Sequence, residues 1–155
     1  MANTYSQIYI HIVFAVQGRQ NLIHKNHREE LHKYITGIVQ NRGQKMLAIC
    51  CMPDHSHILT GMKTSISISD LTRDIKAGSS KFINDNKWMK GKFNWQEGFG
   101  AFSYSRSQID TVIKYILQQE EHHKKRTFRE EYIDLLKKFE VEYDEQYLFK
   151  WVDVE

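Results

Sequence analysis

CMPDHSHILTG, residues 51–61, sets two imidazoles one residue apart, His55 and His57, in a run that is otherwise strand-like. In an extended chain residues i and i+2 project from the same face, so the pair stands side by side while Ser56 and Ile58 point the other way. Two imidazoles at this spacing can grip one divalent ion without distorting a strand. Two half-exposed sheet histidines satisfy the same pattern, and two ligands do not complete a site. KYILQQE, residues 114–120, offers more donors: Tyr115 and Gln119 are four apart and share one helix face. The amide oxygen of Gln119 suits Mg²⁺ or Mn²⁺, ions that take oxygen ligands. The Tyr115 phenol, with an ordinary pKa of about 10, needs a base, a metal or a cationic field before it can attack anything. Tyr115 also reads as a core aromatic beside Ile116 and Leu117, and Gln119 as solvated helix surface. Taken together, a sheet-borne HxH and a helix bearing Tyr and Gln are the set needed to cut a phosphodiester through a covalent phosphotyrosine.

The elements that must position these groups follow from hydrophobic periodicity. YSQIYIHIVFAV (5–16) reads as a first strand, and NHREELHKYITGIVQNRG (26–43) as a helix stopped by Gly43. QKMLAICCM and HSHILTGM form a hairpin around Pro53–Asp54. SISDLTRDIKAGSSKFINDN is a second helix with Ser69 as its N-cap and Leu71, Ile75, Phe82 and Ile83 on one face. FNWQEGFGAFSYS gives a last strand with a turn or bulge at Glu97–Gly98, SQIDTVIKYILQQEEHHKK a third helix capped by Ser107, and REEYIDLLKKF a short fourth. The order β-α-β-β-α-β-α-α predicts a ferredoxin-like (RRM-like) α+β fold, an antiparallel sheet with helices packed on one face and the other face available to a partner. No repeat, low-complexity linker or second proline interrupts the 155 residues, so 1–155 reads as one domain with a short C-terminal helix and tail from about 127.

Composition narrows the function classes. No apolar run approaches the ~18 residues that cross a membrane, and the N-terminal run lacks a preceding basic region, so the expected location is the cytoplasm. Cys50 and Cys51 are adjacent in a strand, face opposite ways and serve as apolar filler, not as a disulfide framework or a metal-binding pair. A net charge of +3 permits nucleic acid without arguing for it alone. Arg19, Lys76, Lys81, Lys92 and Arg106 are candidate DNA contacts, with Lys87, Lys90, Trp88 and Trp95 interleaved. His122, seven residues after Tyr115, reads chiefly as a charge favourable to a helix C-terminus. His11, His24, His27 and His32 read as histidines without partners.

At MPDHSHILTG, KYILQQ and the glycine- and aromatic-rich WQEGFGAFSYS between them, the sequence resembles the single-tyrosine HUH transposases of small insertion sequences and the repeat-associated transposases related to them. The likeness runs in order from the first strand to Gln119. Ser56 departs from it, because the family motif usually carries a bulky hydrophobe there. The resemblance implies that His55, His57 and Gln119 hold one Mg²⁺ or Mn²⁺. It implies that Tyr115 attacks single-stranded DNA beside a hairpin, leaving a 5′-phosphotyrosine and a 3′-hydroxyl, and that a second end later reverses the step. It implies a homodimer in which the tyrosine helix of one subunit completes the histidine site of the other. Two other readings stand beside it: a non-catalytic hairpin-binding module derived from a transposase, and a metallophosphoesterase in which water attacks.

Overall fold

The computed structural model describes residues 3–148. Four strands, β1 (Ile8–Ala15), β2 (Lys45–Met52), β3 (His55–Met62) and β4 (Gly100–Ser103), form one sheet in the order β2-β3-β1-β4, with every pairing antiparallel. This is the ferredoxin-like α+β arrangement expected. β1 and β3 lie at the centre, so both their faces are covered, and their residues are buried almost throughout. Pro53–Asp54 closes the β2–β3 hairpin and puts Met52 opposite His55.

Helices α1 (Lys25–Asn41) and α2 (Ile68–Asp85) cover one face. Leu31, Ile35 and Val39 of α1 and Leu71, Ile75 and Ile83 of α2 meet Ile10, Ile12, Phe14, Cys51 and Ile58 in the larger core. Gly43, at φ +77, takes the left-handed conformation that ends α1. Ser67, not Ser69, caps α2: its hydroxyl accepts from the backbone N–H of Asp70, which leaves Ser69 inside the first turn. The stretch before β4 is fastened to α2. The Asn84 side chain both donates to and accepts from the Phe93 backbone, and the Trp95 indole donates to Ser79 Oγ.

The other face is not available as expected. α3 (Ile109–Leu117) lays Ile109, Val112 and Ile116 on Ala48, Cys50 and Leu59, and α5 (Phe128–Lys138) lays Phe128, Tyr132, Leu135 and Leu136 on Val13, Ala15 and Phe102. Cys50 and Cys51 therefore face opposite cores as unpaired thiols, burial pushing them up to about 11 and about 12. The expected third helix is two helices. Ser105, not Ser107, opens it through a capping box with Gln108, and the helical path breaks at Gln118 (φ −102, ψ 24) before α4 (Gln119–His123). Thr127 and Glu130 form a second capping box at the start of α5. Among the described residues no helix is long and apolar enough to cross a membrane. The last seven residues of the expected tail, 149–155, lie outside the described residues.

Candidate active site

His55 and His57 project from central β3 toward α4 and α5, on the face opposite Ser56 and Ile58, as strand alternation requires. Both are almost wholly buried. The carboxylate of Asp54 lies 2.6 Å from Nδ1 of His55. A carboxylate only accepts, so Nδ1 carries the proton and Nε2 presents its lone pair. Nδ1 of His57 lies 2.8 Å from Nε2 of His11, and the two rings stack. His11 is on β1, diagonal to His57 in the register, and is fully buried. It is a partner of the pair, contrary to the expectation that it stands alone. Burial, reinforced by His57, holds His11 well below the usual imidazole range, and burial brings His55 down to about 4.

Glu131 joins the strand to the helices. Its Oε1 lies 3.0 Å from His57 Nε2, 3.1 Å from His123 Nε2 and 3.7 Å from His55 Nε2. Its Oε2 accepts a hydrogen bond from the Tyr115 hydroxyl and another, 3.1 Å, from the Gln119 amide. The amide oxygen of Gln119 lies 3.0 Å from His123 Nε2. Burial pushes the Glu131 carboxyl up, but His57, His123 and His55 outweigh it and leave the group well below the carboxylate range. Tyr115 moves the opposite way: burial and the Glu131 charge raise its phenol, which stays protonated. One ligand atom each from His55, His57, His123 and Glu131 falls within 4.8 Å of the others, so the group could hold a metal ion.

All four residues expected from the motifs, His55, His57, Tyr115 and Gln119, thus meet within one chain. The break at Gln118 adds His123, four residues beyond Gln119, while His122 instead sets its ring 4.8 Å from that of Tyr115. Glu131 was not anticipated, although a signal for it exists. Phe128, Glu131, Tyr132, Leu135 and Leu136 are the buried stripe of α5, and an acid at a core position of an amphipathic helix asks for a buried partner.

Clefts open on two sides. A cavity of about 240 Å³ is lined by Tyr115, Glu131 and Arg126, whose guanidinium is 3.5 Å from the phenol oxygen. A second cleft, about 550 Å³, brings Lys124, Lys125 and Arg126 next to His55 and His123. The expected DNA-contact cations lie elsewhere. Lys76 donates to the carbonyls of Gln96 and Gly98, burial lowering it to about 8. Lys81 pairs with Asp85 on the exposed side of α2, and Lys92 and Arg106 are exposed. Arg19 ends a turn (Gln17–Arg19), and its side chain lies outside what the structure describes. Trp95 is a core residue, set edge-on to Phe14 and Phe93, and not a stacking surface.

A candidate transposase from Deinococcus radiodurans R1 superposes with a TM-score of 0.60 at 19% identity, over 76% of this chain and 94% of that one. A REP-associated tyrosine transposase bound to a REP hairpin superposes with a TM-score of 0.59 at 16% identity, over 78% of this chain and 72% of that one. No curated protein matches. Residues 4–119, from before β1 through Gln119, match the family described as "Transposase IS200 like", and the chain belongs to that family.

Proposed function

We propose that the protein is a tyrosine transposase that cuts and rejoins hairpin-bearing single-stranded DNA through a 5′-phosphotyrosine. The observation that carries this reading is the shared carboxylate: the Tyr115 hydroxyl and the His57 imidazole meet opposite oxygens of Glu131. Such an arrangement supports a nucleophile and an imidazole pair acting on one phosphate. The likeness to a hairpin-bound transposase supports hairpin DNA as the partner.

His55 and His57 would hold a divalent ion; Gln119, the third ligand that the resemblance implies, turns its amide to Glu131 and His123. When bound, the ion supplies positive charge that polarises the scissile phosphate and offsets the burial that keeps the phenol protonated. The chain's own residues do the rest. Glu131 Oε2 orients the Tyr115 hydroxyl and is the atom that takes up its proton as the oxygen attacks phosphorus. The P–O3′ bond breaks, the 3′ oxygen takes a proton from water and leaves as a hydroxyl, and the 5′ phosphate stays on Tyr115. Attack by a second 3′-hydroxyl reverses these steps and rejoins DNA without ATP, because the phosphodiester energy is kept in the covalent bond. Lys124, Lys125 and Arg126 line the cleft by which a phosphate backbone can reach His55, a contact that weakens with salt. The working form is a homodimer, in line with the resemblance.

Incubation of the protein with single-stranded hairpin DNA and Mn²⁺, followed by a denaturing gel, tests the reading. A protein-linked 5′ fragment that disappears with Tyr115→Phe is expected. Two unlinked fragments would mean that water attacks. Hairpin binding with no cleavage would mean a binding module.

A further inference from the structure

The matched family segment ends at Gln119, yet two of the four clustered donors, His123 and Glu131, come after it. We propose that α4 and α5 complete the metal site: His55, His57, His123 and Glu131 together form a three-nitrogen, one-carboxylate set selective for a transition-series divalent ion over Mg²⁺, with Gln119 positioning Glu131 from outside. This rests on the transposase reading for the site's use, but not for its coordination.

Three observations carry it. The first is separation. Donors around one ion at bond lengths of about 2.0–2.1 Å stand about 3.3 Å from one another in tetrahedral coordination. Glu131 Oε1 lies 3.0, 3.1 and 3.7 Å from the three imidazole nitrogens, and all four donor atoms fall within 4.8 Å of one another, a looser set that an ion would draw inward. The second is an orphan. His55 is 1% exposed, and its Nε2, deprotonated because Asp54 claims the Nδ1 proton, has no hydrogen-bond partner and looks toward a carboxylate oxygen. Two lone pairs facing each other in a buried site call for a cation between them. The third is the outer shell. Asp54 stands behind His55, His11 behind His57 and the Gln119 amide behind Glu131, the arrangement that fixes ligand orientation at metal centres.

Donor chemistry then sets the ion class. Imidazole-rich sets favour Zn²⁺ and the later transition ions, for which Co²⁺ is a spectroscopic stand-in, whereas Mg²⁺ asks for oxygens and keeps its waters. The carboxylate has a second role: with Oε1 committed to the ion, Oε2 holds the Tyr115 hydroxyl, so Glu131 sets where the nucleophile stands relative to the metal.

The test is a Co²⁺ titration of the full-length protein without DNA, followed by its visible absorption and by the thermal melt, with Mg²⁺ as competitor. The wild type is expected to bind one Co²⁺ with the intense bands of a four-coordinate site, to melt higher when loaded, and to keep its ion in excess Mg²⁺. His123→Ala and Glu131→Gln should each lose about 100-fold or more in Co²⁺ affinity, and Gln119→Ala about 10-fold, as an outer-shell change does. Glu131→Asp, which keeps the charge and withdraws the oxygens, gives the same readout if Glu131→Gln does not fold. If Gln119→Ala abolishes binding while the His123 and Glu131 variants bind normally, the extension contributes no ligands and the inference is overturned, with the transposase reading intact. If Co²⁺ does not bind, or binds unaffected by His57→Ala, both fall.

Discussion

β3 presents two different chemistries one residue apart. Ser56 and Ile58 face α1 and α2, where Ile58 is fully buried among Ile12, Phe14, Ile75 and other apolar side chains, a contact set satisfied by dispersion and exclusion of water alone. His55 and His57 face α4 and α5, where burial is as complete but the neighbours are imidazoles, an amide and a carboxylate. One face is stable as it stands. The other gathers polar atoms at a density that folding alone does not explain, with His55 Nε2 and His11 Nδ1 left without hydrogen bonds. Equal burial on the two sides of a strand therefore does not mean equal purpose: the Ser56 side leaves one hydroxyl without a hydrogen bond among apolar groups, whereas the His55 side gathers several ionisable groups around one carboxylate.

Paired substitutions on this strand should separate the two purposes. His57→Ala is expected to abolish the protein-linked DNA fragment while leaving hairpin binding intact and lowering stability by about 1 kcal/mol, the scale of one buried hydrogen-bonding partner. Ile58→Ala should do the reverse. It opens a cavity in the larger core and costs about 2–5 kcal/mol in urea unfolding, but the fraction that remains folded should cut DNA normally. Equal loss of binding and cleavage in His57→Ala would mean that the imidazoles position DNA.

The same comparison bears on whether two chains would share the work. α3 sits on the sheet of its own chain through Ile109, Val112 and Ile116, and its tyrosine meets its own chain's Glu131, so nothing has to be exchanged to close the site. A mixture of Tyr115→Phe and His57→Ala proteins is expected to give no adduct, since every site then carries one defect. Recovery of adduct in the mixture would show that the tyrosine helices cross between subunits, because exchange builds one intact site in each mixed dimer.

What could be read from the sequence divides along the same line. Helices α1, α2 and α5 follow from periodicity, because their apolar positions repeat cleanly and each faces one core, and the strands follow from their apolar, β-branched content, though not the second covered face of the sheet. His55, His57, Tyr115 and Gln119 stood out because local spacing alone puts each pair on one face. Glu131, His123 and His11 did not, since what brings them to the site is a meeting across several elements. His123 depends on the helix break at Gln118, which no proline or glycine announces. His11 depends on a strand register that sets it diagonally beside His57. Ser67 and Ser69 were confused for a plainer reason: two serines two residues apart both suit an N-cap, and only the hydrogen bond to Asp70 chooses between them.

His32 gives the smallest effect and the cleanest control, because it is a half-buried histidine on the structural side of the molecule. Its Nε2 accepts from the backbone N–H of Cys51, tying α1 to β2, and burial, with Arg28 nearby, lowers it from 6.5 to about 4 while Glu29 pulls weakly the other way. A folded-state value below the unfolded one means that, between those two pH values, the unfolded chain takes up a proton that the folded chain refuses. His32 should therefore leave stability unchanged above pH 6.5 and erode it as pH falls from 6.5 toward 4. The slope has a ceiling of about 1.4 kcal/mol per pH unit, reduced because solvent reaches part of the ring. Urea unfolding of wild type and His32→Gln across that range isolates this term, since acid uptake by the site histidines is common to both and cancels in the difference. The wild type should lose more stability than the variant on acidification. Parallel curves would mean that the Cys51 N–H bond does not hold the ring neutral.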